Sequence, residues 1–131
     1  MTTISHGKWL PYVPQALPPG MLPTAIYAHR EGDQVDWYAY VYTIKGFAEH
    51  TVKGAALWQE ERQAYIVGPA TYDASEIFPA NQLVFEVTDY TGSDPFADFS
   101  GKVYHPEDGT FTDYPAPPLA RIAKLENSGG D

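Results

Sequence analysis

The sequence predicts a mainly β protein: a small antiparallel β-sandwich or barrel-like domain with extended proline-rich N- and C-terminal arms and one or two short helical turns. Three observations favour this class. Short segments rich in aromatic and β-branched residues alternate with turn residues, aromatic residues make up 15% of the 131 residues, and eight of the 12 prolines lie in the first 23 or the last 17 positions. We therefore expect a β-rich domain over residues 24–114 between two arms.

Residues 1–23 are predicted to form the N-terminal arm. Five prolines fix φ and remove backbone donors, which disfavours both a helix and a central strand. The arm is also apolar, so it either packs on its own domain or docks on a partner. The residues predicted to bind a partner are Trp9, Pro11, Tyr12 and Pro14, although Pro-x-x-Pro spacing is too common to identify an SH3 ligand.

The domain is predicted to begin with a hairpin. Residues 24–30 form its first strand, 31–34 its turn and 35–44 a long second strand. On that second strand Tyr38, Tyr40 and Tyr42 would lie on one face, about 6.6 Å apart. Such a row could cover the sheet within the same chain or bind a partner, since tyrosine suits interfaces and sugar stacking.

The middle of the chain predicts further strands. A weaker strand over 47–52 ends at Lys53-Gly54, and residues 55–59 and 64–67 form a hairpin around 60–63, with a helix over 55–65 as the alternative. Gly68-Pro69 is expected to break the chain. Asp73 then has the spacing of an N-cap for a helix of about one turn, which Pro79 ends.

The last third predicts a strand over 82–90, a helical turn over 96–99 and a hairpin. Residues 102–105 and 110–114 are its strands, and the order Pro106-Glu107-Asp108-Gly109 suits a type I turn followed by a left-handed glycine. Residues 115–131 are predicted to form a proline-rich tail, in which 119–127 could make a short amphipathic helix.

The charge is unevenly distributed. The chain carries −9 overall: residues 1–72 hold six acids and five bases, whereas 73–131 hold eleven acids and three bases. This field would repel phosphates, so we expect no direct nucleic-acid binding, and it would favour either solubility alone or a basic protein partner. The predicted acidic surface consists of Asp89, Asp94, Asp98, Glu107, Asp108 and Asp113.

No motif indicates catalysis. There is no cysteine, the four histidines stand far apart, and neither a nucleophile elbow nor a phosphate-binding glycine loop occurs. Paired carboxylates are not singled out by spacing. We therefore predict a non-enzymatic protein without metal or cofactor. No apolar segment approaches the length of a membrane span, and no signal peptide is recognisable, so synthesis in the cytosol is expected.

The segment from Gly101 to Pro118 resembles the ending of many short bacteriophage virion and tail-fibre-associated proteins. The resemblance lies in an aromatic residue, a tight turn, a phenylalanine strand and a proline run, with His105 in place of the usual aspartate and Asp108 in place of the usual threonine. It covers 18 residues. It implies a phage origin and transfers no functional residue.

These observations lead to one main hypothesis and two alternatives. The main one is a non-enzymatic structural or adaptor subunit of a phage tail, baseplate or head surface, assembled in the host cytoplasm, whose arms dock on virion subunits or on further copies of itself. The first alternative is an acidic inhibitor that blocks a basic nucleic-acid-binding surface of a host-defence protein. The second is a carbohydrate-binding module, which depends on the tyrosine row.

Overall fold

Seven antiparallel strands form one curled sheet in the computed structural model, which describes residues 2–13 and 26–113. Their spatial order is β2-β1-β5-β3-β4-β6-β7. The prediction of a small, mainly antiparallel β domain with short helical turns is thereby confirmed. The strands are β1 (Thr3–Tyr12), β2 (Tyr27–Arg30), β3 (Val52–Gln59), β4 (Ala64–Thr71), β5 (Gln82–Val87), β6 (Val103–His105) and β7 (Thr110–Thr112).

Four short helical segments connect the strands in the described part of the chain. They are a π-helical segment (Ala39–Ile44), two 3-10 turns (Glu60–Arg62 and Ala74–Glu76) and one α-helix, α1 (Pro95–Phe99). None of these helices is long and apolar enough to cross a membrane.

The prediction of an N-terminal arm is wrong for residues 2–13, the part of residues 1–23 that the structure describes. Strand β1 lies inside the sheet, between β2 and β5. Pro11 is compatible with this strand because β5 pairs with β1 only as far as Trp9, so at Pro11 the strand has a partner on one side only, a position that proline tolerates. Residues 14–25, with Pro14, and the predicted tail lie outside the described residues.

The long second strand over 35–44 is also wrong, because this segment is helical. Trp37, Tyr40 and Val41 follow helical spacing, and all three pack on the same core. Asp36 caps the helical segment: its Oδ2 accepts from the Ala39 N–H at 3.1 Å. Almost every residue of this run is aromatic or aliphatic, so the run fits both the helical period of 3.6 residues and the strand period of two. The alternation of residues alone was therefore misleading.

The hairpin of β3 and β4 is confirmed, and the alternative helix over 55–65 is not formed. The weak strand over 47–52 is wrong, since β3 begins at Val52 and continues through Gly54. There the missing side chain leaves room for the ring of Phe85, which a Cβ would approach to 2.3 Å. Gly68-Pro69 does not break β4. It forms a bulge, so that Val67 and Ala70, three residues apart, reach the same core.

The predicted first hairpin is not formed, because β2 pairs with β1 and an isolated bridge between His29 and Asp36 is its strand contact with residues 35–44. The predicted cap at Asp73 and the helical turn over 96–99 are confirmed. Asp73 caps the second 3-10 turn by accepting from the Ser75 N–H at 2.9 Å, and Asp94 caps α1 by accepting from the Ala97 N–H at 3.1 Å. Strand β5 occupies most of the predicted 82–90 segment, and β6 pairs with β7 across the predicted turn.

The two faces of the sheet bury different clusters. Because the sheet curls, Phe85 of β5 stacks on Tyr104 of β6 at 4.9 Å between ring centroids, although β3 and β4 separate the two strands. We call this concave cluster the inner core; its buried members are Val52, Ala56, Val67, Ala70, Phe85, Val87, Phe99 and Tyr104. The π-helical segment covers the opposite face. We call that cluster the outer core; its buried members are Trp9, Ala28, Trp37, Tyr40, Ala55, Ile77 and Val84.

Candidate functional site

A β-bulge at Gly7 turns two side chains of β1 toward the outer core. Ser5 pairs with Phe85 and Lys8 with Leu83, so three steps of β1 oppose two steps of β5. Gly7 takes φ 87°, a conformation that glycine adopts without penalty. As a result His6 and Trp9, which would otherwise lie on opposite faces, share one face.

A buried hydrogen-bond network surrounds Glu86 on this face. Its Oε1 lies 2.8 Å from His6 Nε2, and its Oε2 accepts from the Thr51 hydroxyl at 2.5 Å and from the Ala48 N–H at 2.9 Å. Since a carboxylate only accepts, His6 Nε2 is the donor, and Nδ1 of the neutral ring accepts from the Tyr40 hydroxyl at 2.6 Å. The network ties β1, β5, the π-helical segment and the loop 45–51 together.

The electrostatics of this network favour an ionised glutamate beside a neutral histidine. Burial by itself would raise the pKa of Glu86, but hydrogen bonds from Thr51, His6 and Ala48 outweigh burial, and the pKa lies below its ordinary value. Burial lowers the pKa of His6 more than the hydrogen bond to Glu86 raises it. At neutral pH the pair therefore carries one negative charge.

Lys53 is the cross-strand partner of Glu86 and is only 4% exposed. Its Nζ donates to two main-chain carbonyls, those of Thr51 at 3.0 Å and Tyr72 at 2.9 Å. Within residues 2–13 and 26–113 no carboxylate comes within 4 Å of this ammonium. Burial lowers its pKa, while the more distant charges of Glu86, Asp73 and Glu49 oppose that change.

Lys53 lies at the base of an open cleft of about 550 Å³ between the loop 41–50 and the end of β4. Its lining includes Tyr42 and Tyr72, whose exposed fractions are 60% and 47%. Charged groups of both signs, Lys45, Glu49, Lys53 and Asp73, also line the cleft, together with His50. Apolar ring faces around fixed polar groups are typical of binding sites.

The predicted partner-binding residues do not form one surface. Trp9 is fully buried and Tyr40 is 8% exposed, so both belong to the outer core. The hydroxyl of Tyr12 donates to Asp36 Oδ1 at 2.7 Å, and that of Tyr38 to a main-chain carbonyl, the Ile26 oxygen, at 2.6 Å.

The tyrosine row is wrong because its strand is a helical segment, which points the three rings in different directions. Tyr42 alone of the three is exposed, and it lines the cleft. Pro11 is exposed on β1.

The six predicted acidic residues are all exposed. Several have local structural partners: Asp113 Oδ1 accepts from Lys102 Nζ at 2.7 Å, Asp108 Oδ1 accepts from the Thr110 N–H at 3.1 Å, and Asp98 accepts from the Tyr90 hydroxyl. Asp89 accepts from the Thr2 N–H, and Asp94 caps α1. The acidic surface therefore also stabilises turns and helix starts.

Sequence reasoning missed His6, Lys53 and Glu86 as site residues. A signal for two of them was present, because Lys53 and Glu86 each interrupt an apolar run that forms a strand. Charged side chains are almost never fully buried unless they are paired or hydrogen-bonded, so a charge within such a run indicates a polar network.

In the part of the chain that the structure describes, no group of three histidine, cysteine or acidic side chains is arranged to hold a metal ion. Lys53, with Lys45 at the rim, offers donors, and Glu49 offers acceptors, for a ligand in the cleft. No protein-family model, curated protein or solved structure matches this chain.

Proposed function

We propose that this protein is a non-enzymatic adaptor subunit of a bacteriophage particle and that it holds its partner at the cleft beside Lys53. The carrying observation is the position of two exposed aromatic side chains, Tyr42 and Tyr72, in the lining of one cleft. Tyrosine is enriched at the centres of protein interfaces, where it contributes a large rigid contact area.

The layout of the polar groups supports binding rather than catalysis. The acid–base pair His6–Glu86 is 7% and 2% exposed, and neither residue lines the cleft. A molecule in the cleft would therefore not reach this pair, whose hydrogen bonds hold the loop 45–51 in place. A rigid loop loses little conformational entropy when a partner binds, and this favours affinity.

The phage setting is supported by the C-terminal hairpin. Residues 101–118 carry the resemblance to virion proteins, and within them β6 and β7 pair, with His105 opposite Thr110. In this proposal the protein is incorporated into the virion in the host cytoplasm, and its partner is a virion subunit or another copy of the chain.

Site-specific photo-crosslinking tests the docking surface. A benzoyl-phenylalanine at position 42 or 72 should crosslink to one virion protein in cells that produce the particle. The matched control is position 96, because Phe96 is an aromatic residue of similar exposure, 64%, that does not line the cleft. Equal crosslinking from position 96, or none from 42 and 72, would overturn the assignment of the surface.

The setting itself is tested on purified particles. The protein should remain with virions through density-gradient centrifugation and a high-salt wash. Its complete loss from the particle fraction would contradict the virion proposal without bearing on the cleft.

A second candidate is the acidic inhibitor, favoured by the exposure of all six predicted acidic residues. Its affinity for a basic host protein should fall steeply with ionic strength, because exposed charge pairs are screened within about 8 Å at physiological salt. Binding that is insensitive to salt would exclude this candidate. The carbohydrate-binding alternative loses its basis with the tyrosine row.

A further inference from the structure

We infer that the cleft receives an acidic side chain of the protein partner and that its carboxylate pairs with Lys53. This inference deepens the proposed function and rests on it, since it names the group that the docking surface recognises.

The first argument is the state of the Lys53 ammonium. An ammonium has three N–H donors, and two of them are used by the carbonyls of Thr51 and Tyr72. The third remains for a ligand in the cleft that Lys53 lines. Both carbonyl partners are neutral, so the ammonium of a residue that is only 4% exposed is hydrogen-bonded without a counter-ion among the described residues. A buried charge without a counter-ion is costly, and an arriving carboxylate would relieve that cost.

The second argument is that two of the three carboxylates whose charges act on Lys53, those of Glu86 and Asp73, are committed elsewhere. The third, Glu49, is more than 4 Å from the ammonium. Glu86, opposite Lys53 in the sheet, accepts hydrogen bonds from His6, Thr51 and Ala48. Asp73 Oδ1 accepts from both the N–H and the hydroxyl of Ser75 in the 3-10 turn. These bonds keep both acids in place, so the position beside Lys53 Nζ is left to an external group.

The third argument concerns the kind of anion. Lys45 adds a second positive charge to the lining, whereas Glu49 and Asp73 add two negative charges. A polyanion such as nucleic acid would be repelled by these two acids and by the net charge of −9. A single carboxylate on a short apolar stem fits this lining, because Lys53 would pair with the carboxylate and the rings of Tyr42 and Tyr72, which line the same cleft, would contact the stem.

The test uses a pair of blocked tripeptides, one with a central glutamate and one with a central glutamine, titrated into the full chain and followed by 15N NMR. The glutamate peptide should shift the amide signals of residues 42–53 and 71–74 in a saturable manner. The dissociation constant of the glutamine peptide should be at least about tenfold higher, the change expected when one ion pair is lost. Equal shifts with both peptides would overturn the inference.

Two variants complete the experiment. Lys53→Met keeps an unbranched side chain of similar length and should abolish the preference for the glutamate peptide. Lys8→Met removes a lysine that does not line the cleft and should leave the preference unchanged. A preserved preference in Lys53→Met would contradict the inference. If Lys53→Met fails to fold, the wild-type titration above still decides between the two outcomes.

The photo-crosslinking experiment separates this inference from the proposed function. Crosslinks from position 42 together with equal binding of the two peptides would retain the docking surface and reject the carboxylate. Absence of crosslinks from positions 42 and 72 would reject the docking surface itself.

Discussion

The two faces of strand β5 are buried to the same extent by opposite chemistry. On the inner face Phe85 is fully buried among aromatic rings, those of Tyr104 at 4.9 Å and Phe111 at 5.0 Å. On the outer face Glu86 is 2% exposed and holds three hydrogen-bond donors. The comparison teaches that burial at Phe85 stabilises the sheet through apolar contacts, whereas burial at Glu86 gives the loop beside the cleft a defined position.

The largest expected effect is on the inner face. Phe85→Ala should lower the free energy of unfolding by about 3–5 kcal/mol, because it removes a buried ring and leaves a cavity between the rings on either side. Urea denaturation measures the loss. The control is Phe96→Ala, whose ring is 64% exposed and whose removal should cost no more than about 0.5 kcal/mol. Similar losses of unfolding free energy for both variants would contradict the claim that the buried ring of Phe85 stabilises the inner face.

On the outer face Glu86→Gln should cost about 1–3 kcal/mol, less than Phe85→Ala. An amide has one acceptor oxygen, so it cannot accept from both His6 and the loop donors Thr51 and Ala48. The NMR shift changes should concentrate in residues 45–53. Glu61→Gln, at a side chain that is 77% exposed, is the control and should leave stability unchanged. Shift changes spread evenly over the sheet would contradict a local positioning role.

The Gly7 bulge sharpens the comparison because it directs His6 to the outer face. Gly7→Ala should cost about 1–2 kcal/mol, since φ 87° disfavours a side chain and the new Cβ would lie 2.9 Å from Arg30 Cδ. Gly32 also has a positive φ, 105°, but a Cβ there would meet no atom within 4 Å. Gly32→Ala therefore measures the part of the stability loss that comes from the backbone conformation alone. Thermal unfolding should therefore show the larger loss for Gly7→Ala, and the reverse order would contradict the packing at the bulge.

The smallest expected effect is a pH dependence confined to the outer face. Because the pKa of His6 is lower in the folded chain than its ordinary 6.5, the unfolded chain binds more protons below that pH. The stability present above about pH 6.5 is then lost as pH falls toward the folded pKa, at no more than about 1.4 kcal/mol per pH unit for one proton.

Glu86 extends the same trend to lower pH. Its folded pKa lies below the ordinary 4.5, so its contribution is complete above that value and is lost as pH falls through the folded pKa. The free energy of unfolding, measured by denaturation between pH 7 and 5, should no longer depend on pH in His6→Gln. Phe96→Ala should keep the pH dependence of the wild type. An unchanged slope in His6→Gln would contradict the neutral buried histidine.

Features formed by residues close together in the sequence could be predicted, whereas those formed by distant residues could not. The turn at Pro106–Gly109, the cap at Asp73 and the helical turn over 96–99 were predicted because neighbouring residues form them. Strand β1 was not, because its pairing with β5 joins residues about 80 positions apart and leaves no local pattern.

The candidate site was harder to predict. The π-helical segment consists of residues that suit strands equally well, so Tyr42 was placed on a row that does not exist. Lys53 and Glu86 were recognisable only as charges within apolar runs, and their connection depends on the pairing of β3 with β5. The cleft could therefore not be assembled from local patterns.

The central claim is that the Glu86 carboxylate holds the loop beside the cleft, and amide hydrogen exchange at Ala48 tests it most directly. Ala48 is exposed, yet its N–H donates to Glu86 at 2.9 Å. We predict exchange at least about tenfold slower than in an unstructured chain, with this protection lost in Glu86→Gln. Exchange of the wild-type Ala48 amide at the unstructured rate would contradict the account.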